Sequence, residues 1–164
     1  MQLDEVIADL MRTSGDRLLR LAYQLCHDRA AAEDLVQEAL TRVYGSWLRR
    51  APAVDNREAY VRRAVVNEYL RRRRLRSASE VVTDEVPDRG TDGFDSRVVE
   101  HDEVWRALAL LPARQRAVMV LRYYEDLPDR EIAALIGAKE ATVRSLALRA
   151  LESLRVSHRV EERS

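Results

Sequence analysis

A chain of 164 residues, 46% of them hydrophobic, can bury a core as one medium domain or as two small ones. Its 28 basic residues balance 28 acidic ones, and a single cysteine, Cys26, excludes an internal disulfide and a zinc site built from cysteines. His27, His101 and His158 are scattered without metal-ligand spacing, and no apolar run approaches the ~20 residues of a membrane-spanning helix.

The N-terminus carries acids and no apolar stretch, which argues against a signal peptide and for a cytoplasmic protein. Three or four helices are expected before residue 76. Leu18, Leu19, Ala22 and Leu25 share a helical face, and Cys26 beside it reads as a small core residue. Asp28 can cap the next helix, which has the clearest period in the chain. Leu35, Ala39, Val43 and Trp47 form one row, with Val36, Leu40 and Tyr44 on the next. Pro52 breaks the chain, and Asp55 or Asn56 can cap a third helix with Tyr60, Val61, Ala64, Val65 and Leu70 inward. That helix runs into Arg71-Arg72-Arg73-Arg74, four like charges that need a partner or full hydration.

Residues 77–97 combine Pro87, Gly90 and Gly93 with serines, threonines and many acids, which predicts a flexible acidic linker. Beyond it, Val98 to Leu110 reads as a helix carrying Val104, Trp105 and Leu108. Pro112 suits the first position of the next, which carries Ala117, Val118, Val120, Leu121 and Tyr124. Two shorter periodic segments follow, Asp129–Ile136 and Lys139–Leu154, with helix-turn-helix proportions. Gly137 stands between them, where the chain must leave a helix with positive φ. The second segment turns Val143, Ala147, Ala150 and Leu154 or Leu151 inward and leaves Thr142, Arg144, Ser145 and Arg149 near its outer side. No β-alternation of any length is present. The fold class expected is therefore all-α: a domain over 1–76, the linker over 77–97, a helix-turn-helix domain over 98–158 and a tail over 159–164.

Charge sharpens the division. Eight arginines between Arg57 and Arg76 face only Glu58 and Glu68, whereas nine acids between Glu80 and Glu103 face Arg89 and Arg97. A basic block beside an acidic one suggests a polyanion-binding surface next to a self-masking segment; two solvated faces are the plainer reading. Lys139 is the only lysine, and the arginine bias suits phosphate and guanine contacts as well as a GC-rich genome. There is no glycine-rich phosphate loop, no Ser/His/Asp arrangement and no metal cluster, so neither catalysis nor a cofactor is expected.

Three stretches in order resemble one family. Ala32-Glu33-Asp34-Leu35-Val36-Gln37-Glu38-Ala39-Leu40 looks like the polymerase-binding helix of bacterial sigma factors. Tyr60-Val61-Arg62-Arg63 with Asn67 and the arginine run looks like their helix for the −10 promoter element. Leu111-Pro112-Ala113-Arg114-Gln115-Arg116, Arg122-Tyr123-Tyr124-Glu125-Asp126-Leu127 and Glu131-Ile132-Ala133, leading into Thr142-Val143-Arg144-Ser145, resemble their −35-binding domain. Together they are similar to the extracytoplasmic function sigma factors, the actinobacterial SigE-like branch of the sigma-70 family.

The resemblance implies a factor that binds core RNA polymerase and directs initiation at −10 and −35 elements. Asp34, Gln37 and Glu38 would dock on the clamp helices of the largest subunit, with the flap as a second polymerase contact. Asp55 and Asn56 would read the −10 element in single-stranded form, and Arg62, Arg63, Asn67, Arg71, Arg72 and Arg74 would hold it. Lys139, Glu140, Thr142, Arg144, Ser145 and Arg149 would meet the double-stranded −35 element. An anti-sigma factor is a further candidate partner. Trp47 and Tyr60 can stack on bases, but their place on the apolar face favours core packing.

The chain departs from the family pattern at three places, one of them the turn Ala138-Lys139-Glu140-Ala141, which lacks a Ser cap at the start of the recognition helix. Pro128 stands where a capping Ser precedes Glu-Ile-Ala, leaving Asp126 or Asp129 to substitute, and Leu146 replaces a common basic residue, either facing DNA or shifting the packing. A stand-alone helix-turn-helix regulator would explain the C-terminal unit but leaves Asp34–Leu40 and the arginine run without a role. A helical interaction protein that has lost DNA binding is the other alternative.

Overall fold

The computed structural model describes residues 2–50, 52–79 and 102–163. Among them the structure is helical with no strand: α1 (Leu3–Cys26), α2 (Arg29–Trp47), α3 (Arg57–Ser79), α4 (Asp102–Ala109), α5 (Ala113–Tyr123), α6 (Asp129–Ile136) and α7 (Glu140–Arg163). They divide into two compact units, α1–α3 and α4–α7. Of the expected linker, residues 77–79 continue α3, and 80–97 lie outside the described residues. The expected tail is continuous with α7 as far as Arg163.

In the first unit α1 starts earlier than its apolar row suggested. Val6, Leu10 and Ser14 precede Leu18, Leu21 and Leu25 at spacings of three and four, so one buried stripe spans six turns. His27 ends α1 in the left-handed region (φ 60°), and its N–H bonds the Tyr23 carbonyl. Asp28 then caps α2 as expected, its carboxylate accepting from the Ala30 N–H at 3.0 Å. This two-residue reversal lays α2 back along α1, where Leu35, Val36, Ala39, Leu40, Val43 and Trp47 are buried. Cys26 is half-buried.

Helix α3 closes the unit with Val61, Val65, Val66 and Tyr69. Tyr60, expected inward, sits instead at the rim, as do Tyr44 and, in the second unit, Tyr124. Each keeps a polar tip in reach of water or a partner. The nearby Asp4 carboxylate raises the Tyr44 pKa, and Tyr60 pairs its hydroxyl with Ser46 Oγ at 3.1 Å. Ala64 and Leu70 are half-buried rather than core residues, because the packed stripe of α3 runs through 61, 65 and 69.

The second unit packs α5, α6 and α4 against α7. Leu108, Leu111, Met119 and Ala150 form a cluster flanked by Leu151 and Leu154. Val104 is exposed. Pro112 is the N-cap of α5 rather than its first residue. Arg116, only 4% exposed, ties α4 to α5: Nε donates to the Leu108 carbonyl at 2.9 Å and Nη2 to those of Ala109 and Leu111 at 2.5 and 3.1 Å. Those carbonyls lie at and just beyond the end of α4, where the Leu111 N–H also reaches the Leu108 carbonyl, so a buried cation is satisfied by backbone oxygens.

Candidate nucleic-acid interface

The expected −35 residues lie at the start of α7. Gly137 ends α6 at φ 67°, and its N–H bonds the Ala133 carbonyl, so the chain turns where the sequence predicted. Neither Asp126 nor Asp129 caps α6. Asp126 takes a left-handed turn at φ 52°, Asp129 pairs with Arg122 at 3.2 Å, and the Pro128 carbonyl accepts from Glu131 and Ile132 instead.

Along α7, Val143, Leu146, Ala147 and Ala150 are buried at helical spacing. Leu146 therefore belongs to the packed face, at 8% exposure, and Leu148, two residues on and 68% exposed, occupies the outer one. Lys139, Glu140, Arg144 and Arg149 are exposed, with Thr142 and Ser145 half-buried at the edges of the same face. Arg144 approaches Glu140 at 3.8 Å across one helical turn. An open cleft of about 540 Å³ lies between the starts of α6 and α7, lined by Arg122, Asp129, Arg130, Glu140 and Arg144 among others. The outer face of the helix thus offers hydroxyls, guanidinium groups and the apolar side chain of Leu148, the chemistry that meets base edges in a major groove.

The first unit brings the other expected residues together along one helix pair. On α3, Arg63, Asn67 and Arg74 recur at four and seven residues and are exposed, so they form one outward line. Arg62 is half-buried on the other side. Asp55 and Asn56 are exposed in a single 3-10 turn (Val54–Asn56) that leads into α3. Trp47 is buried, and its ring centroid lies 5.7 Å from that of half-exposed Tyr60. The expected core role thus holds for Trp47 but only in part for Tyr60.

Arg71 and Arg72 do not stand free. Both turn back to Glu68, which is 2% exposed and receives Arg71 Nη2 at 2.8 Å, Arg72 Nε at 3.2 Å and, from α2, Arg42 Nε at 3.1 Å. The hydrogen bond from Arg71 is the main reason that Glu68 sits below the ordinary glutamate range, against the opposing pull of its burial. Arg72 also extends Nη1 to Asp34 at 2.9 Å, and Arg42 reaches Glu38 at 3.7 Å. Burial alone would lower the Arg72 pKa, but its bonds to Glu68 and Asp34 outweigh that and raise it. Gln37, the third expected polymerase contact, is exposed.

Sequence reasoning missed Glu68, Arg42 and Leu148. The signal for Glu68 was available: it falls three residues after Val65 and seven after Val61, on the packed face of α3, with arginines three and four residues on. Among the described residues no group of three or more His, Cys, Asp or Glu is placed to hold a metal, and no helix is long and apolar enough to cross a membrane.

Known proteins resemble this chain along both units. The Sigma-70 region 2 family matches residues 10–79 and the Sigma-70 region 4 family residues 101–154. The RNA polymerase sigma-E factor of Streptomyces avermitilis is 38% identical over 149 residues, spanning 90% of this chain and 82% of that protein. Its counterpart in Streptomyces coelicolor is 36% identical over 149 residues, again spanning 90% of this chain and 82% of that protein. The ECF RNA polymerase sigma factor SigE of Mycolicibacterium smegmatis is 34% identical, over 90% of this chain and 59% of that protein. Among solved structures, a chain in the co-crystal structure of the sigma factor RpoE with the anti-sigma factor NepR from Bartonella quintana matches with a TM-score of 0.71. At 23% identity, over 94% of this chain and 97% of that one, it shows a shared fold.

Proposed function

The chain belongs to the extracytoplasmic function group of the sigma-70 family, and from that premise we propose how its two units share the work of promoter recognition. As a sigma factor it binds core RNA polymerase and promoter DNA and directs transcription initiation. The stand-alone regulator finds no support, because region 2 similarity covers the unit which that reading leaves without a role.

In the proposed division, residues 1–76 form the polymerase and −10 unit, and residues 98–158 the −35 unit. Asp34, Gln37 and Glu38 meet basic groups of the clamp helices. Arg63, Asn67 and Arg74 line the −10 strand, with Arg62, Arg71 and Arg72 flanking it and Asp55 and Asn56 reading unpaired bases. Thr142, Arg144, Ser145 and Arg149 enter the major groove, with Lys139 and Glu140 at the helix start. The observation that carries this reading is the exposed row Arg63–Asn67–Arg74 on a helix whose opposite side is packed, a line of donors suited to phosphates. The protein acts in the cytoplasm and does no chemistry itself; an anti-sigma factor is a further candidate partner. Run-off transcription with purified core polymerase tests the reading. A promoter-specific transcript that depends on this chain is expected, and its absence from every promoter tried would remove it.

A further inference from the structure

Two faces assigned to different partners share one seam. On α2, Asp34, Glu38 and Arg42 lie one turn apart in a single row, and α3 sets Arg72 against Asp34 at 2.9 Å and Glu68 against Arg42 at 3.1 Å. Glu38 also adds to the electrostatic hold on Arg71. Arg72 is the shared member: Nε rests on buried Glu68, while Nη1 reaches Asp34, whose side chain is 73% exposed.

We propose that Asp34 is an internal competitor for Arg72, so that seating the α2 face on polymerase releases Arg72 to the DNA. The inference rests on the reading of Asp34 as a polymerase contact and Arg72 as a phosphate contact. A basic group of the polymerase placed on Asp34 repels the Arg72 guanidinium and takes its counter-charge. Glu68, buried and held by Arg42 and Arg71, stays behind and keeps Arg72 at the surface of α3. While Asp34 is unoccupied, it screens one of the cations meant for phosphate. The chain alone then binds DNA more weakly than its arginine block would allow. Exposed ion pairs are individually weak, which sets the effect at about two- to five-fold.

The test uses the full chain and a short fluorescein-labelled single-stranded DNA, titrated by fluorescence anisotropy at low salt, where phosphate contacts weigh most. Asp34→Asn should tighten binding two- to five-fold and do nothing in an Arg72→Gln background. Glu33→Gln, which removes a neighbouring exposed acid paired to Arg29, should change affinity by less than Asp34→Asn does. If Arg72→Gln weakens binding but Asp34→Asn has no effect, the competition is wrong and the phosphate role stands. If Arg72→Gln has no effect, both fall. Equal tightening by Glu33→Gln, or tightening that persists without Arg72, would reduce the effect to net charge and overturn the proposal.

Discussion

The two units treat arginine in opposite ways. In α1–α3, Arg42, Arg71 and Arg72 converge on one buried carboxylate, and two of them also reach the acidic face of α2. In α4–α7, the buried cation Arg116 bonds backbone carbonyls, while Arg144 and Arg149 stay exposed on the outside of α7. A cation that fixes structure needs a fixed acceptor. A cation that reads DNA needs an acceptor weak enough to leave. On the proposed assignment of DNA contacts, the C-terminal unit gives these two tasks to different side chains, whereas the N-terminal unit combines them in Arg71 and Arg72.

The contrast predicts where each substitution will be felt. The largest effect is expected from Arg144→Ala combined with Arg149→Ala. Each base contact is worth about 1–3 kcal/mol, so promoter affinity of the holoenzyme should fall at least about tenfold. Thermal unfolding should be unchanged, because both side chains are exposed. A loss of stability instead would move these arginines to the structural class.

Arg116→Ala should do the reverse. It removes the bonds to the Ala109 and Leu111 carbonyls and the second donor to that of Leu108, and should lower stability by about 2–3 kcal/mol, read by urea unfolding. Leu146→Ala should lower stability by a similar ~2–3 kcal/mol, and Leu148→Ala by no more than ~0.5 kcal/mol. Equal melting temperatures for the two leucine variants would contradict the register of α7.

In the N-terminal unit, Glu68→Gln should destabilise by about 1–2 kcal/mol at neutral pH, because three arginines lose their common anion. The pH dependence has a definite sign. Glu68 is held below its ordinary value in the folded state, so its contribution is fully present above the unfolded pKa of about 4.3. That contribution is lost as pH falls through the lower folded value. The wild-type chain should therefore lose stability on acidification below that range, and Glu68→Gln should remove this part of the slope. Parallel unfolding curves for the two proteins would show that Glu68 is not the anchor.

Much of the architecture was legible in the apolar rows. The period through Leu35, Ala39, Val43 and Trp47 fixes the buried side of α2, and Gly137 marks the turn before α7. The seam was not legible, because the pairing of Asp34 with Arg72 depends on the register in which two helices pack, 38 residues apart. The departure at Leu146 had two readings in the sequence. The structure separates them: Val143, Leu146 and Ala147 pack together, which leaves Leu148 outside. Tyr60 misled for another reason, since an aromatic ring can cover a core while its hydroxyl stays at the surface.

The central claim is that two grips on separate units recognise one promoter. Selection of bound DNA by holoenzyme reconstituted from core polymerase and this chain tests it most directly. Two enriched motifs at a fixed spacing are predicted, and Arg144→Ala with Arg149→Ala should erase the upstream motif alone. A single motif, or the loss of both together, would contradict the division of labour.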